Sequence, residues 1–524
     1  MKNDFLFKAV TFKATARKAL TFAAAFLLAS AIYAQSDDSN PDQSTPGASK
    51  VRIVRLSQVK GVVQIDRNIG RGYENAIANL PVVEHSKIRT GVGIAEVEFE
   101  DNSSMRIAPN SVVEFPRLER AASGATASTV QVVQGTAYVS LVKPQDKKAP
   151  ANAFELMFGS RSLDLDPATH VRLEVVESQA KLAVFEGTVR TDGDNGGVSV
   201  PKKKMATFSI FDKDEPTVAK DIALNVFDNW DHQEAAYHQN VSSLSRFNSP
   251  YAYGLSDMSY YGAFSNVSGC GSVWRPYFAT AGWNPYANGT WAWYGGAGYS
   301  WVSPYPWAWT PYHSGSWVNC GDAGWGWMPG GNWYGVNNTV ASSMPSGGSG
   351  AGRAPGMPIR APHVPVHPPS AKDPTMIAVS SRPVATSGIS PATRSFVFQK
   401  DSAGMGVPRD GLGRLDKFSH ETATRGISQT QIYATVPQPG HVNGYGSGSG
   451  AAAGSGAALT GSIHRGSAPP PSYSSGSMGA WSGGGGNARS GGGGGSSMGS
   501  SIGRSGGGAP SSTPVASAPA AVHR

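Results

Sequence analysis

Between Trp274 and Trp333 the chain places eleven of its thirteen tryptophans, and they recur on a fixed spacing. Trp283-Asn-Pro-Tyr-Ala-Asn-Gly-Thr-Trp291 and Trp309-Thr-Pro-Tyr-His-Ser-Gly-Ser-Trp317 both read W-x-P-Y-x-x-G-x-W, 26 residues apart. The same offset carries Ala297-Gly298-Tyr299-Ser300-Trp301 onto Ala323-Gly324-Trp325-Gly326-Trp327, and Trp307 onto Trp333; ten of 26 aligned positions are identical. A degenerate earlier copy holds Gly262-Ala263-Phe264 and Trp274-Arg275-Pro276. Its glycine-to-tryptophan distance is 12, as from Gly289 to Trp301 and from Gly315 to Trp327. Three copies are what stacked units commonly need to bury a shared core. Residues 256–334 therefore read as a repeat module with copies at 256–282, 283–308 and 309–334.

The W-x-W pairs (Trp291/Trp293, Trp307/Trp309, Trp325/Trp327) put both indoles on one side of any strand they occupy. Such a row serves either of two ends. A module nearly devoid of Leu and Ile must build its core from aromatics, each burying about 150–250 Å². The alternative is a flat platform for sugar rings, for which Trp293, Tyr305, Trp309 and Tyr312 are the candidate ligand-binding residues.

Cys270 and Cys320, the chain's two cysteines, bracket most of the module. In an oxidising compartment they are expected to pair, closing a loop worth roughly 3–4 kcal/mol if unstrained; two buried thiols are the alternative.

The compartment follows from the first 34 residues, which have the features of an export signal. Lys2, Lys8, Lys13, Arg17 and Lys18 precede a run of about 14 mostly apolar residues, Ala19 to Ile32. Cleavage is expected after Ala34, before the polar leader 35–50, with an uncleaved anchor as the alternative. No other long apolar segment exists, so no stable membrane span is expected after cleavage. The net charge of +8 would fall to about +4 without the signal, which does not call for a nucleic-acid partner.

From Val51 to about residue 212 apolar residues alternate with polar ones. Ala95, Val97 and Phe99 alternate with Glu96, Glu98 and Glu100; Val171, Leu173 and Val175 alternate with Arg172 and Glu174. Short strands with one polar face predict an all-β, antiparallel sandwich or roll. Residues 213–255 read as a helical connector. Ile222, Leu224, Phe227, Trp230, Glu234 and Tyr237 near helical spacing predict one helix over 220–240. A Pro-rich and mixed linker follows over 335–439, and a Gly/Ser/Ala-rich tail over 440–524 is expected to be disordered.

The β region resembles the FecR family, the ferric-citrate regulator type of periplasmic sensor. The residues that carry this are Ile88-Arg89-Thr90-Gly91, the run from Ala95 through Asp101-Asn102-Ser103 to Pro109-Asn110-Ser111, and Val184-Phe185-Glu186-Gly187-Thr188-Val189. Asn102 stands where that family often has glycine, a swap that left-handed turns accept. Phe227-Asp228-Asn229-Trp230, Trp274-Arg275-Pro276 and the repeats resemble a tryptophan-rich module of unknown function that follows FecR-like domains in envelope proteins. The resemblance implies periplasmic protein–protein signalling. Only 18 residues precede the apolar run, so the cytoplasmic anti-sigma segment of classical members is not expected.

Catalytic motifs do not appear: there is no phosphate loop and no dinucleotide glycine turn. Asp192-Gly-Asp194-Asn195-Gly196 reads as a hairpin turn, because Lys203 stands where a calcium loop wants an acid. His232 and His238, or His363 and His367, lack supporting ligands at metal-site spacing and read as solvent-exposed. No metal and no cofactor is expected. The expected function is noncatalytic: an exported scaffold or ligand-sensing protein, in the periplasm or at the cell surface, whose partner is an envelope protein or cell-wall glycan. The rival expectation is a membrane-anchored FecR-type signal transducer.

Overall fold

The computed structural model describes residues 51–144, 152–191, 197–212, 214–239, 246–330, 332–338, 342–343, 362–379 and 395–431. The expectations for residues 1–50, 192–196 and 440–524 lie outside the described residues.

The alternating segment 54–219 forms one fifteen-stranded sheet, antiparallel except at a single pairing. Val54–Asp66 pairs with Lys87–Glu98, which continues into Ser104–Ile107 and Val112–Arg120. Thr126–Ser140 is the hub: it pairs with both of those, with His170–Val176, and in parallel with Ala153–Phe158. The apolar positions of the alternation close on one core, with Val97, Met105, Val130, Leu156, Leu173 and Leu182 all fully buried. At the turn after Glu98, Asn102 adopts φ +71°, the left-handed conformation that its place in the sequence requires. Its side chain adds what glycine cannot supply: Asn102 Nδ2 donates to the His238 carbonyl at 2.9 Å, tying the turn to the helix above it.

That helix, α1 (Asp228–Gln239), starts later than its sequence pattern predicts. Ile222 and Leu224 precede it, and Leu224 is 94 % exposed. The buried face is polar as much as apolar: Trp230, Asp231, Glu234, Tyr237 and His238. Apolar periodicity therefore placed the helix too early. The described residues also form α2 (Leu255–Tyr261), α3 (Trp309–His313) and α4 (Leu415–Arg425), beyond the one connecting helix expected.

The tryptophan module contains three hairpins in one register. Gly262–Val267 pairs with Gly271–Pro276, Thr290–Tyr294 with Gly298–Val302, and Ser316–Asn319 with Trp325–Met328. Facing pairs are Phe264/Trp274, Trp291/Trp301 and Trp317/Trp327. The conserved spacing between glycine and tryptophan has a steric cause. A Cβ on Gly262 would come within 2.3 Å of the Trp274 indole, on Gly289 within 2.2 Å of Trp301, and on Gly315 within 2.6 Å of Trp327. In every copy the indole lies against the backbone that only glycine leaves bare.

The copies do not stack in series. The first and third hairpins join through Trp274 and Trp327, whereas the second forms a separate sheet with Met376–Ala378. Trp307 packs against Trp274, Trp283 and Trp317 with ring centroids 5.1–5.9 Å apart. Trp307 and Trp309 lie in a turn and α3 rather than on a strand. Cys270 and Cys320, at the tips of the first and third hairpins, stand at disulfide distance with Cα atoms 5.9 Å apart.

The mixed segment read as linker is partly structured. Ser395–Gln399 pairs with Ile427–Gln431 around α4, and Phe396, Phe398, Leu412 and Leu415 are buried in the tryptophan core. Trp307 Nε1 donates to the Ala403 carbonyl at 2.6 Å. Residues 395–431 thus form a strap over the module.

Candidate functional site

The face of the sheet that the sequence presents as polar is not left to solvent. Glu96 and Glu98 are completely buried. The strand register sets Arg55 opposite Glu98 and Arg106 opposite Glu96, so charges alternate across three strands on one face. Over this face lie α1, carrying Asp231, Glu234 and His238, and α2, carrying Asp257. Arg409 reaches in from the strap.

Five carboxylates meet three guanidinium groups and an imidazole here. Arg55 holds Glu98 at 3.0 Å and Asp257 at 2.7 Å. Arg106 holds Asp231 at 2.6 Å and lies 3.8 Å from Glu96. Arg409 pairs with Glu96, with Asp257 at 3.0 Å, and with Glu98 and Glu234 at 3.5 Å each. His238 Nε2 is 3.0 Å from Glu96. Tyr237 donates its hydroxyl to Asp257 at 2.8 Å, and the Gly254 amide donates to Glu98 at 2.7 Å.

Burial alone would push the Glu96 carboxyl up, but Arg409, His238 and Arg106 outweigh it and hold the group well below the usual carboxylate range. Asp257 is held down against burial by Arg409 and Arg55. Burial lowers the His238 imidazole, and Glu96 and Glu98 more than restore it, so its pKa lies above the ordinary value. Chemically this arrangement is a lock: removing one partner would strand buried charges, at about 3–5 kcal/mol for a typical buried pair.

Beside the lock lies an open, mainly apolar groove of about 700 Å³, walled by Phe99, Leu141, Val142, Phe154 and Leu165 with Arg52 and Glu100. Arg52 grips Glu100 with two hydrogen bonds of 2.8 and 2.9 Å, and Arg120 reaches the same carboxylate at 2.6 Å. The guanidinium of Arg120 also lies 4.5 Å over the Tyr251 ring, and the Ala252 amide donates to the Glu100 carbonyl at 2.8 Å. The groove wall is thereby joined to the chain that leads into the tryptophan module.

The aromatic candidates are placed as follows. Tyr305, Trp309 and Tyr312 are buried, and Trp293 is half-buried. Tyr305 stacks on Trp307 at 5.1 Å, and Tyr312 lies near the other side of that cluster, 6.4 Å from Trp307. Trp309 packs with Tyr253 and His313, while Trp293 packs with Tyr299. The four do not share one exposed plane.

Of the histidines expected to be solvent-exposed, His232, His363 and His367 are exposed, but His238 is buried in the lock. Two groupings have metal-ligand composition, with ligand atoms within 4.8 Å of one another: Glu96, Glu98 and His238, and His170, Asp231 and His232. Arg409 already occupies the first. Sequence reasoning missed the lock, and Arg409 above all. The available signal was the pairing of Glu96, Glu98 and Glu100 with Arg52, Arg55 and Arg106 on neighbouring predicted strands.

A family model described as FecR protein matches residues 86–190. A second, described as a family of unknown function (DUF6600), matches residues 255–355. The chain carries a FecR domain and a DUF6600 domain. The FecR domain contributes Glu96, Glu98, Arg106 and the groove; the DUF6600 domain contributes Asp257 and the three hairpins. No curated protein matches the chain. Two crystal structures of a candidate anti-sigma factor from Parabacteroides distasonis are similar at 12 % identity, with TM-scores of 0.23 and 0.22. The likeness covers 28 % of this chain and 63 % of that one, less than two thirds of its length. Among the described residues no helix is long and apolar enough to cross a membrane.

Proposed function

We propose that this chain is a noncatalytic envelope protein that senses a ligand in its FecR domain and presents the tryptophan module as a scaffold. Its contacts would be with an envelope protein or cell-wall glycan. One observation carries the reading: Glu100 lines the groove and, through its own carbonyl, holds the Ala252 amide, three residues before the DUF6600 domain. A ligand that disturbs the Arg52–Glu100–Arg120 grip acts directly on that joint. The ion pairs of the buried acids with Arg55, Arg106 and Arg409 support a mechanical rather than catalytic role for them, and the FecR match supports an envelope location.

The aromatic residues support the scaffold half of the reading. With Tyr305, Trp309 and Tyr312 inside, any aromatic contact with a glycan would centre on Trp293 at the rim.

The test is retention of solubilised envelope proteins and of peptidoglycan on immobilised full-length chain. Wild type is expected to retain a partner from one of these fractions. Ala153→Trp, which fills the groove from an exposed position, is expected to lose it. Equal retention by both would sink the groove reading.

The FecR match favours a second reading equally: an N-terminal segment kept as a membrane anchor, with the same groove reporting to a membrane partner. Mass spectrometry of the mature N-terminus separates the two, since a start at Gln35 leaves no anchor.

A further inference from the structure

His232 finds its metal-ligand partner on the sheet rather than on its own helix. Six residues along α1, His238 is turned into the lock. Across from His232 stands His170, at the start of the strand His170–Val176, with ring centroids 5.1 Å apart. Asp231, the neighbour of His232, places Oδ2 2.6 Å from His170 Nε2. We infer that His170, Asp231 and His232 form a binding site for a first-row divalent transition ion of the zinc class, joining α1 to the FecR sheet.

Four observations support this. The donor set is two imidazoles and one carboxylate, which suits borderline ions and not calcium or magnesium. Bonds of 2.0–2.2 Å to zinc set tetrahedral ligand atoms about 3.3 Å apart, within the span of these three, which lie within 4.8 Å of one another. The carboxylate is already aimed: Arg106 Nε donates to Asp231 Oδ1 at 2.6 Å, leaving Oδ2 toward His170. Outer partners of this kind orient metal ligands and fix their geometry. Finally, His232 is exposed, which gives an ion access from solvent, while Phe185 walls the imidazoles with centroids 5.2 and 5.1 Å away. The ion would take its place between His170 Nε2 and Asp231 Oδ2, which now touch at 2.6 Å. Three protein ligands leave at least one coordination position for water or a partner's side chain.

This inference is independent of the proposed function, because it concerns α1 and not the groove. The test uses untagged full-length protein stripped with chelator, titrated with Zn²⁺ by calorimetry and with Co²⁺ by visible absorption. The expected result is one saturable equivalent, a rise in melting temperature with Zn²⁺, and a low-symmetry Co²⁺ absorption band. His232→Ala, at an exposed position, is expected to weaken that equivalent at least tenfold, the scale at which even outer partners act. His420→Ala is expected to leave it unchanged. Absence of saturable uptake by wild type would overturn the site. So would uptake that survives in both His232→Ala and His170→Gln, or that maps to His363 and His367.

Discussion

At the scale of single residues, Arg409 is the most consequential side chain. It is the cation placed among four carboxylates, and it comes from 313 residues beyond Glu96 in sequence. Arg409→Met keeps the packing length and removes the charge. Such a change is expected to cost about 3–5 kcal/mol, because the acids remain buried without their counter-charge; urea denaturation of the pure protein measures it. His313 makes a different prediction, about pH. It is buried between Trp309 and Trp333, donates Nδ1–H to the Gly335 carbonyl at 2.7 Å, and burial pulls its pKa down to about 3. A folded value below the unfolded one means that the unfolded chain takes the proton first. The stabilisation from neutral His313 is therefore complete above about pH 6.5 and is lost as pH falls toward 3, at about 1.4 kcal/mol per unit. His238 has the opposite sign. Its folded value is raised, so its contribution is complete below about pH 6.5 and declines only on the alkaline side. Glu96 and Asp257, both held low, lose theirs only below about pH 4, the unfolded carboxylate range. Between pH 6.5 and 4.5 the slope thus belongs to His313. Denaturation series over that window are expected to show it in wild type and not in His313→Gln; an equal slope in both would refute the assignment.

At the scale of elements, the three hairpins repeat one contact, a tryptophan lying on the glycine 12 residues before it. Gly289 is the clean place to test it, since its φ is not in the left-handed region and only the contact with Trp301 opposes a side chain. Gly289→Ala is expected to cost roughly 1–3 kcal/mol, as overpacking does, and to weaken the near-ultraviolet dichroism of the indoles. Gly282→Ala, where nothing lies within 4 Å of an added Cβ, is expected to be nearly silent in both measurements. This repeat was legible because spacing along the chain is covalent: identical offsets in sequence became identical registers. The β alternation and the left-handed turn at Asn102 were legible for the same local reason. The fate of the polar face was not. Glu96 and Glu98 carry the same pattern whether water or a helix covers them, and here the cover comes from α1, α2 and Arg409. The start of α1 was also hidden, because its buried stripe holds Asp231, Glu234 and His238, which an apolar template does not count. His232 and His170 share no sequence spacing at all; only the sheet brings them together.

At the scale of the whole molecule, the FecR sheet and the tryptophan module depend on a third part, the strap 395–431. It supplies Arg409 to the lock and lays Phe396, Phe398, Leu412 and Leu415 on the indole core. Hydrogen bonds add to this: the Val407 carbonyl accepts from the Tyr261 hydroxyl at 2.7 Å, and the Asp401 carboxylate accepts from the Thr280 amide at 2.8 Å. A chain ending at residue 394 loses the charge and the apolar cover together. It is therefore expected to be destabilised by more than Arg409→Met alone. Two observations would register that difference: a lower melting temperature than the point variant, and binding of a hydrophobic dye to the bared aromatic surface. A chain ending at residue 445 keeps every contact named here and is expected to melt with wild type. If the shorter chain melted no lower than Arg409→Met, the aromatic contacts of the strap would add nothing to its single arginine. The strap would then be a carrier for one charge and not a structural third of the fold. If it melts lower, the ion pairs and the aromatic cover act jointly, and a partner that draws the strap away would loosen the sheet and the module in one step.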